Sequence, residues 1–324
     1  MSTIVYVVAY VALLVFIGAV ARRAIKYLNN PVHLRWELYP VAHEGKGRDV
    51  YGGSYLEDVD WWKKPREVSM VNELKVMVPE ILFLKAVWEH NRPLWYSTYA
   101  FHLGLYLASA FIALMIGGAI AQAAGAPPDA GVLAILFVTI PSILGPVAFS
   151  LTILGSVLLL HRRLTNEAMR IYSSPGHFFN LVLFIIAMGL ALASWQTHDP
   201  TFSHLRGFLA NLMTFQLAAF DNPLFAAQLL VAFGLLAYIP LTHMAHFFMK
   251  YFLYHDIRWG DESNAQGAYS ARIATVLSYP VSWSAAHVKG TGKNWAEVAT
   301  FNPTAEPAAK PAAKPAAKPA ATKE

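Results

Sequence analysis

The sequence predicts an all-α membrane protein, built as a bundle of five transmembrane helices. Of its 324 residues, 56% are hydrophobic and only 14% are charged, whereas soluble domains carry about 25% charged residues. The charged residues collect between long windows that contain no Asp, Glu, Lys or Arg. Because a helix needs about 20 apolar residues to cross a membrane, these windows predict crossing helices and not a large soluble core.

Five windows are long enough to cross a membrane. No basic residue precedes the first window and no clear cleavage site follows it, so we expect it to remain as a helix of the mature protein. The third contains Pro141 and Pro146, which predict a kink. The windows cover about residues 3–21, 95–125, 130–160, 175–196 and 223–249.

The basic residues predict the orientation of the bundle. They follow the first helix, lie between the third and fourth, and follow the fifth, whereas the other loops are nearly free of them. By the positive-inside rule, the N-terminus faces out and the C-terminus faces the cytoplasm. The sequence therefore predicts a multi-pass protein of the cytoplasmic (inner) membrane. The residues concerned are Arg22, Arg23, Lys26, Arg162, Arg163, Arg170, Lys250 and Arg258.

The same windows divide the chain into five parts. We expect a first transmembrane helix, a cytoplasmic insert, a four-helix transmembrane bundle, a second cytoplasmic segment and a disordered tail. The tail repeats Pro-Ala-Ala-Lys, and proline at every fourth position forbids a continuous helix. These parts cover residues 1–26, 27–93, 94–250, 251–304 and 305–324.

Two segments outside the spans have helical periodicity. Residues 67–90 form an amphipathic stretch in which Pro79 is expected to break or kink the helix. This stretch could lie on the membrane surface or dock a soluble subunit, and the sequence leaves both roles open. Residues 201–219 predict a short amphipathic helix on the outer side, which could cap the bundle or touch a periplasmic subunit.

Composition excludes several classes of function. The net charge of +5 invites a nucleic-acid interpretation, but the basic residues lie beside the apolar windows, so no nucleic-acid partner is expected. The chain contains no cysteine. It therefore cannot hold an iron–sulfur cluster through its own cysteines, attach haem covalently or form disulfides.

Histidines are the remaining candidates for chemistry at membrane depth. Five of the twelve lie within a span or at its edge: His102, His161, His177, His243 and His246. His102 and His246 come to similar depths on antiparallel helices, and a pair of opposed imidazoles can hold the iron of a low-spin haem. The same pair could instead bond to backbone carbonyls, line a proton path or bind another metal. His243 lies three residues before His246, which predicts that both occupy one broad helix face.

Two short motifs carry a resemblance to a known family. Ala100-Phe101-His102 opens the second helix, and Tyr-Ile-Pro-Leu-Thr-His-Met-Ala-His at residues 238–246 closes the fifth. With the five-helix plan, these motifs resemble the gamma subunit of respiratory nitrate reductase over residues 1–260. They also resemble its relatives, the cytochrome b subunits of heterodisulfide-reductase-like membrane complexes of sulfate reducers.

The resemblance implies an electron-transfer subunit. It would pass electrons between menaquinone or another quinone and a cytoplasmic iron–sulfur subunit of the heterodisulfide reductase type, with a periplasmic multihaem cytochrome c as a further partner. Members with two haems carry a second histidine pair, and Ile112 and Gln228 occupy those positions here. The resemblance therefore implies one haem b, with His102 and His246 as axial ligands. Without an outer haem, the quinone site is expected nearer the cytoplasmic half.

Other polar residues crowd the same cytoplasmic edge, where the haem propionates would lie. His243 could donate a hydrogen bond to a propionate. Four further residues are predicted at the same edge of the spans: His161, Arg162, Arg163 and His177. The two arginines could instead serve only to orient the helices. A rival hypothesis is a haem-free membrane anchor or a proton or solute transporter. The absence of charged residues inside the last four spans weakens the transporter version.

Overall fold

The computed structural model describes residues 1–29, 59–60, 69–252, 270–283, 285 and 290–300. These residues are helical apart from turns and a single isolated bridge, and they form no named strand. The tail and the tryptophan-rich part of the insert (Trp61, Trp62) lie outside the described residues. The chain divides into two compact units, one of which contains all the long helices.

The larger unit covers residues 1–30 and 38–261. Its described elements are α1 (Ser2–Leu28), α2 (Met70–Leu82), α3 (Lys85–His90), α4 (Arg92–Ala123), α5 (Gly131–Thr165), α6 (Glu167–Ile171), α7 (Pro175–Thr197), α8 (Ser203–Met213), α9 (Pro223–Tyr238) and α10 (His246–Phe252). Five segments are long and apolar enough to cross a membrane, namely α1, α4, α5, α7 and α9 with its extension to Leu241. The predicted all-α, five-span architecture is confirmed.

The fifth span is shorter than the sequence window predicted. It leaves α-helical geometry at Ile239–Leu241, which form a 3-10 turn. Pro240 has no N–H to donate to the preceding helical turn, and Thr242 then adopts an extended conformation. The chain returns to α-helical geometry only at His246. The prediction of one continuous helix over residues 223–249 was therefore wrong.

Side-chain caps fix where the spanning helices begin. Asn91 accepts a hydrogen bond from the Leu94 N–H at the start of α4, and Asn222 accepts one from the Phe225 N–H at the start of α9. Ser174 precedes α7, and the His177 ring accepts the Ser174 backbone N–H in return. Each cap satisfies a donor that a helix end leaves without an intrahelical partner.

The spanning helices pack in an order that differs from their order in the chain. α4 packs on α5, α5 on α7, α7 on α9, and α9 on α1. The first contact is close because two glycines face it. A Cβ added at Gly155 would collide with the Phe101 backbone, and one added at Gly104 would collide with Thr152. Small residues let membrane helices approach in this way.

The short amphipathic helix that the sequence predicted forms α8, which packs against α1, α4 and α9. Its first turn is held by Asp199, whose carboxylate accepts hydrogen bonds from the Leu205 N–H at 2.8 Å and the His204 N–H at 3.1 Å. Arg206 donates to the Phe137 carbonyl at 2.8 Å. Phe137 lies in a π-helical turn (Ile135–Thr139) at the start of α5. A π turn disturbs the regular hydrogen-bond ladder of a helix, and here one of its carbonyls binds this arginine.

The amphipathic stretch forms α2 and α3. The helix α2 continues through Pro79 to Leu82, and the chain turns at Leu84, whose φ is 52°. The break therefore lies after the proline. Two side chains of α4 bind this segment: Trp95 donates to the Phe83 carbonyl at 2.7 Å, and Tyr106 donates to the Ile81 carbonyl. The end of α2 is therefore fastened beside a transmembrane helix.

The smaller unit covers residues 31–37 and 262–324. The structure describes two short helices of it, α11 (Ser270–Leu277) and α12 (Trp295–Thr300). An isolated antiparallel bridge joins Pro280 and Asn294. Asn294 and Glu297 form reciprocal hydrogen bonds at the start of α12, at 2.8 and 2.9 Å. The smaller unit is therefore folded locally around the start of its last helix.

Candidate functional site

His102 is positioned by its own helix. Its Nδ1–H donates to the carbonyl of Thr98, one turn earlier in α4, at 2.8 Å. A carbonyl oxygen can only accept, so this bond places the proton of the neutral ring on Nδ1. The Nε2 lone pair is left available as a ligand. Metal-binding histidines are usually held in this manner, by a hydrogen bond from the other ring nitrogen.

His246 is positioned by the break in the fifth helix. The residues His243–Ala245 form a second 3-10 turn, and the Nδ1–H of His246 donates to the His243 carbonyl at 3.2 Å. This bond leaves the Nε2 of His246 available in the same way. His243 and His246 are joined by this 3-10 turn and not by a regular α-helix, because Pro240 and the extended Thr242 interrupt the fifth helix. The main chain of one histidine instead orients the ring of the other.

The two rings lie opposite each other in the half of the bundle where α5 ends and α7 begins. We call it the inner half because the sequence predicts that it lies toward the cytoplasm. Their centres are 6.4 Å apart, with 62° between the ring planes. Imidazole nitrogens lie about 2 Å from a metal ion that they bind, so two rings on opposite sides of one ion have centres about 6 Å apart. Among the described residues, no group of three or more His, Cys, Asp or Glu could hold a metal ion. Two axial donors suffice for haem, since its ring supplies the other bonds, and this donor set fits it.

A second polar cluster lies beside His246. Tyr238, at the end of α9, donates to the Asn180 side-chain oxygen at 2.9 Å. The Asn180 amide nitrogen lies 3.5 Å from Nε2 of His243, and the His177 and His243 rings meet edge to face with centres 4.9 Å apart. Partial burial lowers the pKa of His243 below its ordinary value, and the neighbouring imidazoles and Arg163 act in the same direction. We call His177, Asn180, Tyr238 and His243 the inner cluster.

Each of the two arginines at the inner edge donates a hydrogen bond to the protein through one terminal nitrogen of its guanidinium group. Arg162 donates to the Pro93 carbonyl at 2.8 Å, and Arg163 donates to the Ser173 hydroxyl at 2.6 Å. The Nε atom of each is buried and has no hydrogen-bond partner among the described residues. His161 differs, because its side chain is exposed and only its carbonyl forms a described hydrogen bond, which it accepts from Thr165.

The structure thus brings together His102 with His246, and His177 with His243, and leaves His161 apart from both pairs. Sequence reasoning did not assign Asn180 and Tyr238. The available signal was Asn180 itself, an amide within an otherwise apolar span. At the outer positions Ile112 is exposed on the bundle surface, whereas Gln228 is only 7% exposed and its side-chain oxygen has no described partner.

Comparisons with known proteins connect this geometry to a family. Searches of curated proteins and of solved structures gave no match. The family model for the nitrate reductase gamma subunit matches residues 87–259, which include both facing histidines and the inner cluster. Members of this family are haem-containing membrane cytochromes b and are subunits of multi-subunit respiratory complexes. Since the match spans more than half of the sequence, the chain belongs to the nitrate reductase gamma subunit family.

Proposed function

We propose that this chain is the membrane cytochrome b subunit of a respiratory redox complex and holds one haem b between His102 and His246. The observation that carries the proposal is the facing pair of rings, 6.4 Å between centres, with each Nδ1–H donated to a backbone carbonyl. Both Nε2 atoms are thereby prepared as ligands before any metal binds. At the positions of the family's second histidine pair, Ile112 and Gln228 supply no imidazole.

The protein residues orient and shield this centre. A bound haem b supplies a one-electron carrier, whose potential depends on axial ligands, hydrogen bonding and burial. The bonds to the Thr98 and His243 carbonyls fix the ring planes and make the two imidazoles better electron donors. Phe184 and Leu235 are buried nearby and keep that part of the bundle interior apolar. The two histidines would therefore be the polar groups nearest to a bound iron.

The inner edge provides donors for the carboxylates of a haem. The unpartnered Nε atoms of Arg162 and Arg163 are the strongest candidates, because a buried N–H without an acceptor is costly and an anion would relieve it. The sequence also offered His177 and His243 for this role, but their side chains are less buried than the Nε atoms of the two arginines. His161 is exposed there, and we assign it a weaker role at the rim.

The subunit requires partners on both electron paths. Without cysteine it holds no iron–sulfur cluster of its own, so a cytoplasmic iron–sulfur subunit, of the heterodisulfide reductase type by resemblance, would complete the path. Menaquinone or another quinone would be the membrane substrate, and a periplasmic multihaem cytochrome c could dock on the outer side near α8. This arrangement assumes an N-terminus outside and a C-terminus in the cytoplasm of the inner membrane.

A visible absorption spectrum tests the proposal directly. Purified full-length protein should show the sharp reduced α-band of a low-spin b haem, and a pyridine haemochrome assay should give one haem per chain. His102→Leu should remove the band, whereas Gln228→Leu, a change at the outer position, should retain it. A preparation without any haem band would support the rival hypothesis, in which the chain is a haem-free anchor or transporter and the two rings are structural.

A further inference from the structure

We infer that the inner cluster, His177, Asn180, Tyr238 and His243, binds the polar headgroup of a quinone. This inference rests on the proposed function and adds to it a location for the membrane substrate. The family motif accounts for the facing pair of histidines but gives Asn180 and Tyr238 no role. Three features of the cluster support the inference: its free hydrogen-bond donors, its opening toward lipid and its connection to His246.

The hydrogen bonds of the cluster run in one direction. The phenol of Tyr238 donates to the Asn180 side-chain oxygen at 2.9 Å, so the amide nitrogen of Asn180 is the end that faces Nε2 of His243, at 3.5 Å. With Nε2 as the acceptor, the proton of the neutral His243 ring is on Nδ1. The Nδ1 of His177 accepts the Ser174 N–H at 3.0 Å, which leaves its proton on Nε2.

The N–H groups of two neighbouring imidazole rings are therefore left without a described acceptor. Neither the Nδ1–H of His243 nor the Nε2–H of His177 donates to a described residue, although the ring centres are only 4.9 Å apart. The long Asn180 contact is also weak for a hydrogen bond. A ligand with carbonyl oxygens would satisfy these donors, and a quinone headgroup presents two such oxygens on a flat ring.

The surroundings of the cluster suit an amphipathic ligand. Tyr238 lies edge to face against Phe179, with ring centres 5.6 Å apart. Phe179, Val182 and Leu241 are 53%, 40% and 59% exposed, and they lie in or beside membrane-spanning segments. A polar cluster bordered by exposed apolar side chains matches a polar headgroup with an isoprenoid tail. A soluble polar substrate would leave this apolar rim without a role.

The cluster is joined to the facing pair of histidines by the main chain. The carbonyl of His243 accepts the Nδ1–H of His246 at 3.2 Å, so the cluster residue and the proposed axial ligand share one 3-10 turn. A headgroup bound at His243 would lie within one turn of the proposed haem. By contrast, Gln228, whose side-chain oxygen has no described partner, lies ten residues before Tyr238 within α9, which is about 15 Å along the helix axis.

The test measures binding of a quinone analogue to the full-length protein in lipid nanodiscs. The probe is 2-heptyl-4-hydroxyquinoline N-oxide, whose fluorescence is quenched on binding, and haem per chain is measured on each sample. Asn180→Leu should weaken probe binding at least about tenfold, and Tyr238→Phe by about threefold to tenfold, because each hydrogen bond is worth about 0.5–1.5 kcal/mol. Gln228→Leu is the matched control and should bind the probe as the unmodified protein does.

Each outcome decides a separate point. Equal probe binding by all three variants, no binding by the haem-loaded protein, or weakening by Gln228→Leu alone would overturn the inference. Asn180→Leu could also lose haem, because Asn180 contacts His243 and the His243 carbonyl orients His246. In that case probe binding by Tyr238→Phe tests the inference, because this change removes only a hydroxyl. A protein that lacks haem but still binds the probe in an Asn180-dependent manner would refute the proposed function and leave the binding site in place.

Discussion

The two facing histidines take their orientation from the main chain and not from other side chains. Thr98 and His243 each supply a carbonyl oxygen, which remains when the residue is replaced. The arrangement therefore tolerates substitution of the residue that supplies the carbonyl, but not of the imidazole itself. This distinction separates the roles of His243 and His246, which lie in the same short turn.

We predict that His246→Ala loses haem and that His243→Ala retains it. The first change removes an axial nitrogen, and no other described imidazole faces His102 at the 6.4 Å separation seen for His246. The second change removes a ring of the inner cluster but keeps the carbonyl that orients His246. Haem per chain is measured by pyridine haemochrome in membranes with matched protein levels. Loss of haem only in His243→Ala would reverse the assignment.

At this scale the sequence predicted His177 and His243 beside the pair, but not Asn180 and Tyr238. His102 and His246 were matched by depth, because rise per residue converts position along a helix into depth, and by the resemblance of their motifs. Asn180 and Tyr238 could not be found in this way. Their meeting with His243 depends on the turn after Pro240, and the effect of a proline on the following residues depends on packing that the sequence does not display.

Among the elements, the contact between α4 and α5 is the closest. The hydroxyls of Thr152 and Ser156 donate hydrogen bonds to carbonyls of their own helix, at 2.8 and 2.7 Å. They therefore need no acceptor on the neighbouring helix. Gly104 and Gly155 then allow backbone to approach backbone. The contact is consequently governed by shape, and a single added methyl group is enough to test it.

We predict that Gly155→Ala destabilises the protein by about 1–3 kcal/mol, because overpacking forces the helices apart. The new Cβ would press on the backbone of Phe101, which directly precedes His102, so haem should also be lost at a lower temperature. Gly189→Ala, in α7, is the control, since a Cβ there has no neighbour within 4 Å and should change stability by about 1 kcal/mol or less. Thermal loss of haem absorbance measures both, and equal curves would show that the contact is looser than described.

The elements also show where sequence patterns fail. Pro79 was expected to break or kink its helix; α2 is not broken there, since it continues to Leu82, and the chain turns at Leu84. A proline in the last turn of a helix removes few bonds, whereas fastening by Trp95 and Tyr106 fixes the segment that follows. The hydrophobic period identified the helix, and tertiary contacts determined where it ends.

For the whole molecule, composition was sufficient to predict the number and type of spans. Each uncharged window became a helix because backbone groups in lipid must bond within their own segment. The packing order of α4, α5, α7, α9 and α1 was not predictable, because it depends on which small residues face one another. The end of the fifth span was missed because residues 239–245 contain no Asp, Glu, Lys or Arg that would mark it.

The orientation of the bundle in the membrane is predicted from the distribution of charge, and labelling of single introduced cysteines can test it. The short loop that contains α6 lies among three arginines, whereas the segment after α8 contains no basic residue before α9. Basic loops stay in the cytoplasm, so we propose that α6 is cytoplasmic and that the segment after α8 faces out. Because the chain contains no cysteine, a single introduced thiol reports only on its own position.

We predict that a membrane-impermeant maleimide labels Gln216→Cys, but not Glu167→Cys, in spheroplasts with intact inner membranes. Both positions are exposed, one after α8 and the other in α6, so accessibility within the protein is the same and only the side of the membrane differs. Permeabilised membranes should allow both to react, which controls for folding and expression. The opposite pattern before permeabilisation would place the N-terminus in the cytoplasm, and the inner cluster and the proposed haem would then lie toward the outer face, where a cytoplasmic iron–sulfur partner could not reach them.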